Sequence, residues 1–237
     1  MKKTHHLQIV QNENFLKNKK IGLAISGGVD SVVLLDLFYR LEDRCNFELY
    51  VLHYNHKWRR TSYKDVELVK WYCNKNKIRF LYGENSGKII KSEEEARNQR
   101  YSFFEKVAKE YKLDFICTGH HKDDQLETII FRLARGTGPK GILPIKELQD
   151  FRGKTKLYRP LLSITKKQIC DYANENNLIY IEDKTNKEIK YKRNLIRNKI
   201  IPCLKKINKK AENNILTFSK FVYSQFVSLD NYYHLLL

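Results

Sequence analysis

Ile21-Gly22-Leu23-Ala24-Ile25 leads into Ser26-Gly27-Gly28-Val29-Asp30-Ser31, and Val32-Val33-Leu34-Leu35-Asp36-Leu37-Phe38-Tyr39 follows. A short apolar run, a glycine turn and a longer run with a broad apolar face read as buried strand, tight turn and helix. The paired glycines let backbone N–H groups approach a ligand without interference from Cβ. The helix N-terminus adds unpaired donors and a partial positive charge. Ser26 and Ser31 add hydroxyls, so the stretch suits an anion, and phosphate best. It is neither Gly-x4-Gly-Lys-Ser/Thr nor Gly-x-Gly-x-x-Gly, which sets aside a Walker A loop and a dinucleotide fold. Asp30 would repel phosphates unless a divalent cation or an aligned donor lies between them. The plain alternative is a tight turn with Asp30 or Ser31 as helix N-cap.

Working outward, the pattern repeats. Phe47 to His53 reads as a second strand, residues 62–75 as a helix, and Ile78 to Tyr82 as a third strand. Ser92 followed by Glu95 is a capping box that opens a helix running to about Tyr111. Asp114 to Thr118 reads as a fourth strand, and a helix runs from about Asp124 to Ala134. Strands alternating with helices predict an α/β fold with a doubly wound parallel sheet. Residues 143–156 read as a polar connector, and a helix starts near Thr165 and runs to Asn176. A basic helix starts at Arg193 and ends at Pro202, and residues 203–230 read as a last helix or helix pair.

In such sheets ligands sit at the carboxyl ends of the strands. The second strand ends in His53-Tyr54-Asn55-His56-Lys57-Trp58-Arg59, the fourth in Thr118-Gly119-His120-His121-Lys122-Asp123-Asp124-Gln125-Leu126-Glu127. Asp123 and Glu127 stand four apart and Asp124 and Glu127 three apart, so the carboxylates neighbour one another on a helix. Carboxylates facing a phosphate loop suit Mg²⁺, which takes one or two of them with phosphate oxygens and water. Acids in a first turn also complement the helix dipole, but that does not call for His120 and His121 before them. Arg132 to Gly141 is a basic, Gly-rich loop that reads either as a closing segment or as an ordinary glycine C-cap and turn.

Lys and Arg number 45 against 27 Asp and Glu, a net charge of +18. Residues 151–237 hold 18 basic and 7 acidic side chains, so +11 of that charge lies in the last third. A bias toward Lys, Asn, Ile and Tyr explains many lysines but not their concentration, and the excess points to a polyanion such as nucleic acid. The five cysteines are widely spaced and form no Cys-x-x-Cys pair, which argues against a disulfide framework or a zinc knuckle. No long apolar run suits a membrane span, and the first twenty residues have no signal or transit character.

The Ser-Gly-Gly-x-Asp-Ser stretch resembles the PP-loop of the N-type ATP pyrophosphatases. A series of further stretches resembles the tRNA(Ile)-lysidine synthase family within that superfamily, in its short form. They are His53-x-Asn55-His56-x-x-Arg59, Glu95-Ala96-Arg97 with Arg100-Tyr101, and His120-His121-x-Asp123-Asp124-Gln125-x-Glu127-Thr128. Arg135-Gly136-x-Gly138, Arg159-Pro160-Leu161-Leu162, Asp183-x-Thr185-Asn186 and Arg193-Asn194-x-x-Arg197 complete the series.

The resemblance implies a ligase using ATP and Mg²⁺. It would join L-lysine to C2 of the wobble cytidine of a CAU-anticodon tRNA(Ile) through an adenylated base. It implies ATP binding by Ser26, Gly27, Gly28, Val29, Asp30, Ser31, His53 and Asn55. Catalysis would fall to Asp30, Asp123, Asp124, Glu127, Arg97 and His120, with Mg²⁺ on Asp30 and Asp124. Arg59, Arg100, Arg135, Arg193 and Arg197 would contact tRNA. The expected layout is a polar lead-in at 1–20, a PP-loop core at 21–145, the remainder of the catalytic domain with basic helices at 146–202, and a helical extension at 203–237. A homodimer is a further expectation, and the expected compartment is the chloroplast stroma if the gene is plastid-encoded, otherwise the bacterial cytoplasm. The competing readings are a PP-loop thiolase, a GMP or NAD synthetase, and a tRNA-binding homologue without catalysis.

Overall fold

The structure is a computed structural model and describes residues 13–58, 60–87, 90, 92–182 and 192–236. The chain forms two compact units. The first takes residues up to His121 together with Glu147–Glu182, and the second takes Lys122–Lys146 and the described residues from Lys192 onward.

The first unit is built on a six-stranded sheet. In chain order its elements are β1 (Lys20–Ala24), α1 (Val29–Cys45), β2 (Glu48–Asn55), α2 (Ser62–Lys75), β3 (Arg79–Glu84), α3 (Glu93–Tyr111) and β4 (Phe115–Thr118), then β5 (Leu148–Asp150), β6 (Lys156–Tyr158) and α5 (Lys166–Glu175). The strand order is β3-β2-β1-β4-β6-β5, parallel throughout except for β5, which runs antiparallel to β6 at the edge.

Side chains alternate between two cores. Ile21, Leu23, Leu49, Val51, Phe115, Cys117 and Tyr158 face the helices α1, α2 and α5. Tyr50, Leu52, Ile116 and Leu157 face α3, against Phe104, Val107 and Ala108. Covered on both faces, the central strands are apolar at successive positions, as buried parallel strands must be. Gly83 on β3 makes room for α3: a Cβ there would come within 2.5 Å of the Phe103 ring.

The sheet is larger than the sequence pattern indicates. The expected polar connector at 143–156 contains β5 and the start of β6. Strands of three residues show too little alternation to be read from pattern. They are found by pairing instead: Leu148 opposite Tyr158 and Phe115 opposite Lys156.

The second unit is helical. It holds α4 (Lys122–Ala134), a short turn of helix at Pro139–Ile142, α6 (Lys192–Leu195), a wide π-type turn at Ile196–Ile200, α7 (Ile201–Ile207) and α8 (Ala211–Leu236). Leu126 packs with Ile196 and Ile201, and Ile129 packs with Ile142 and Leu216. Pro202 does not end a helix, as the sequence suggests. It sits in the first turn of α7, where a missing N–H is tolerated, and the π turn before it absorbs the mismatch. Residues 203–230 hold the end of α7 and most of α8, so of the two alternatives, one last helix or a helix pair, the structure has the pair. Among the described residues, no helix is long and apolar enough to cross a membrane.

Candidate active site

β1 and α1 are joined by the glycine turn. Gly27 has φ +94°, a conformation that side chains rarely adopt, which explains glycine there. The N-cap of α1 is Gly28, and no side chain caps it, so neither Asp30 nor Ser31 plays that part. The Ser31 hydroxyl turns back into the loop. It accepts the N–H groups of Ser26 at 3.2 Å and Gly27 at 3.1 Å and donates to the Gly28 carbonyl at 2.8 Å. The loop is thereby closed around one oxygen, with the N–H groups of the first α1 turn beside it. That is the arrangement an anion uses at a helix N-terminus.

Asp30 stands in that first turn. Its carboxylate takes the Lys166 ammonium at 2.6 Å, and His121 Nε2 lies 3.8 Å away. Lys166 is the first residue of α5, fixed by a capping box between Thr165 and Gln168. The same segment touches the loop again, through Ile181 N–H to the Gly27 carbonyl at 3.0 Å. Tyr172 donates to Asp36 and Arg40 donates to Asn176 at the end of α5, which ties α5 to α1. Lys166 therefore belongs to the site, although nothing in the sequence links it to Asp30. Its partner lies 136 positions away.

Parallel register brings the ends of β1, β2 and β4 to one edge, with Ala24 opposite both Leu52 and Thr118. Within the first unit, the end of β2 and the turn after β4 accordingly adjoin the loop, with His121 near Asp30 and His53 against Ile25. His53 is buried, and its Nδ1 lies 2.8 Å from the Ile25 carbonyl, which can only accept, so that nitrogen carries the proton. Burial holds the ring below its ordinary pKa and therefore neutral at pH 7, against the opposing pull of the carbonyl bond. Asn55 is buried and accepts the Lys57 N–H at 2.8 Å. His120 Nδ1 is 2.8 Å from the Thr118 hydroxyl. On α3, Arg97 is exposed and donates to the Tyr101 hydroxyl at 3.1 Å, while burial lowers the pKa of Arg100.

The carboxylates of α4 lie in the second unit. Glu127 is only 2% exposed and takes Arg197 in a two-pronged pair, Nε at 2.6 Å and Nη2 at 3.0 Å. Asp124 lies 3.6 Å from the same guanidinium, and Asp123 is partly exposed in the same first turn. Sequence alone assigns Arg197 to RNA and Glu127 to the reacting groups, and the fold sets the two against each other. Arg193 and Arg135 are exposed, the latter over the Phe131 ring. Arg132 bonds the carbonyls of Gly141 and Leu143, which pins the far end of the Gly-rich loop. Arg59 and Asp183 to Asn186 lie outside the described residues.

The chemistry available in the first unit is phosphate binding by a loop whose only acid already carries a cation. The ammonium on Asp30 shows that this carboxylate, partly exposed, accepts positive charge beside the loop, which is the donor chemistry Mg²⁺ takes. Among the described residues, no three His, Cys, Asp or Glu side chains are grouped to hold a metal ion by themselves.

A family model described as the PP-loop domain matches residues 1–204. A tRNA(Ile)-lysidine synthase of Petrotoga mobilis is 34% identical over 219 residues, covering 89% of this chain and 68% of that protein. One from Pseudothermotoga lettingae is 37% identical over 216 residues, covering 89% of this chain and 46% of that protein. The chain spans about half the length of several curated relatives it matches, 46% and 51% of two of them. Among solved structures, a U34-tRNA thiolase from Methanococcus maripaludis superposes with a TM-score of 0.74 at 18% identity, covering 90% of this chain and 74% of that one. At that identity the likeness is one of fold. The chain belongs to the tRNA(Ile)-lysidine synthase family of PP-loop proteins.

Proposed function

We propose that this chain adenylates the wobble cytidine of a CAU-anticodon tRNA(Ile) with ATP and then replaces AMP by L-lysine. The observation that carries the reading is the closed PP-loop with the Asp30–Lys166 pair beside it, in a chain of this family. In the first step the C2 oxygen of cytosine attacks the α-phosphate, the bond to the β-phosphate breaks, and pyrophosphate leaves. The N–H groups of the first α1 turn receive the pyrophosphate charge as it develops, in a loop that Ser26, Gly27, Gly28 and Ser31 hold in shape through their own bonds. In the second step the ε-amine of lysine attacks C2, the C2–O bond breaks, AMP leaves, and the amine loses a proton.

Asp30 in the first unit, and Asp124 with its neighbour Asp123 on α4 in the second, are the carboxylates we assign to cations, either Mg²⁺ or the lysine ammonium. Mg²⁺, when bound, would be held by Asp30 with phosphate oxygens and would neutralise charge on the leaving group. Glu127 acts by orienting Arg197. Arg97 and His120 line the edge where phosphates and base meet, and His53 and Asn55 shape the nucleoside side. Arg59, Arg100, Arg135 and Arg193 supply the charge that holds tRNA. A thiolase reading gains nothing from Cys117, a wholly buried thiol that desolvation pushes well above its ordinary pKa. Plastid stroma or bacterial cytoplasm is the compartment consistent with this role, and a homodimer is the assembly we expect.

The test is incorporation of labelled L-lysine into a CAU-anticodon isoleucine tRNA transcript with ATP and Mg²⁺, beside a methionine tRNA. Label in the isoleucine tRNA alone, with AMP and pyrophosphate released, is the expected result. RNA binding without label or AMP release sinks the catalytic reading and leaves a binding protein.

A further inference from the structure

A ladder of aromatic rings runs from the α3 core to solvent along the end of β2. Phe104 and Phe103 stand 6.0 Å apart, Phe103 and Tyr54 5.6 Å, Tyr54 and His56 4.8 Å, and His56 and Trp58 5.0 Å. Tyr54 lies on the sheet face that carries Tyr50 and Leu52, and His56 and Trp58 follow just past the end of β2, where Lys57 turns the chain with a φ of +58°. The last two rings are nearly parallel, 22° apart, and Trp58 is 58% exposed. An indole kept in water and stacked from behind is a feature the core does not require.

The surroundings are cationic. Arg60 is exposed, and Arg97 and Arg100 flank Tyr101 on α3. The acid at the end of β3, Glu84, is already bonded by Lys57 at 2.7 Å. His56 is neutral at pH 7, its pKa pushed down to about 4 by burial and then by the nearby Arg100 guanidinium. Its two ring nitrogens are buried without a hydrogen-bond partner among the described residues. The imidazole thus serves as an uncharged ring beneath Trp58 and does not compete with the nearby arginines for an anion.

From this geometry we propose that Trp58, backed by His56, is a stacking platform for an unpaired base of the RNA substrate. Bases taken out of an RNA stack are held on aromatic faces, with neighbouring cations on the backbone. An enzyme that modifies a base in a loop has to hold such bases. The platform lies at the strand edge shared with the PP-loop, where the reacting base has to come. This inference rests on the proposed RNA substrate.

The chain has two tryptophans, so Trp71→Phe leaves Trp58 as sole reporter. An anticodon stem–loop carrying CAU should quench its fluorescence, while ATP alone should not. Trp58→Ala should weaken RNA binding about tenfold and leave the ATP KM unchanged, and Trp58→Tyr should restore most of the affinity. Thermal melts of both variants check folding, which an exposed side chain should not disturb. Quenching by ATP alone would show that the platform takes adenine, and unchanged RNA affinity in Trp58→Ala would show that it takes nothing; either overturns the proposal. Lysine incorporation by the same variants separates the two readings, since turnover with an indifferent Trp58 removes only the platform.

Discussion

The two units hold their acids in opposite ways. Asp30 is partly exposed and met by a single flexible ammonium, whereas Glu127 is buried and gripped by a planar guanidinium through two bonds. An ammonium on a four-carbon stem can be displaced by another cation at little loss. A bidentate Arg–carboxylate pair fixes geometry and resists exchange. The first arrangement suits a carboxylate that must change partners during a reaction, the second one that must keep an arginine in place. Residue type alone does not separate these acids, since both stand near the starts of helices within family motifs, Asp30 in the first turn of α1 and Glu127 in the second turn of α4.

The largest effect expected from that contrast is at Asp30. Asp30→Ala should reduce pyrophosphate release at least ~100-fold while shifting the unfolding free energy by no more than about 0.5 kcal/mol. Turnover that persists would mean the exchangeable acid is not part of the chemistry. Glu127→Gln should behave in reverse, lowering local stability by about 2 kcal/mol, as expected for a lost hydrogen-bonded charge. Hydrogen exchange would locate that loss in α4 and the 196–200 turn, and unchanged protection there would break the comparison.

A smaller effect is expected at Lys166. Lys166→Met should raise the ATP KM several-fold, and Lys166→Arg should recover part of it. Stability should change by less than about 1 kcal/mol, because the pair is solvent-accessible. If Lys166→Met melts the protein instead, Lys166 is an anchor like Arg197 and the distinction fails.

A further expected effect is a slope with pH. His56 has a folded pKa near 4, below its ordinary 6.5, so the unfolded chain binds more protons between those values. Stability from this group is complete above pH 6.5 and falls as pH drops toward 4. His53, shifted the same way, adds to the trend. Denaturant titrations across that range should show it, and His56→Gln should flatten it.

Much of the first unit can be read before any coordinates. The β1–loop–α1 unit, the parallel alternation and the α5 start at Thr165 follow from local rules: apolar period, glycine geometry and side-chain capping. The β5–β6 edge does not, because three-residue strands owe their existence to the partner beside them. Nor do the pairings of Asp30 with Lys166 and Glu127 with Arg197, which join residues 136 and 70 positions apart. Periodicity and propensity are short-range quantities and are silent on such distances. The sequence by itself thus determined the fold class, the phosphate loop and the family motifs, since each is written within one or two helical turns of chain. Only the tertiary structure decided which acid keeps a replaceable cation and which is locked, because burial and partner geometry arise when distant segments pack.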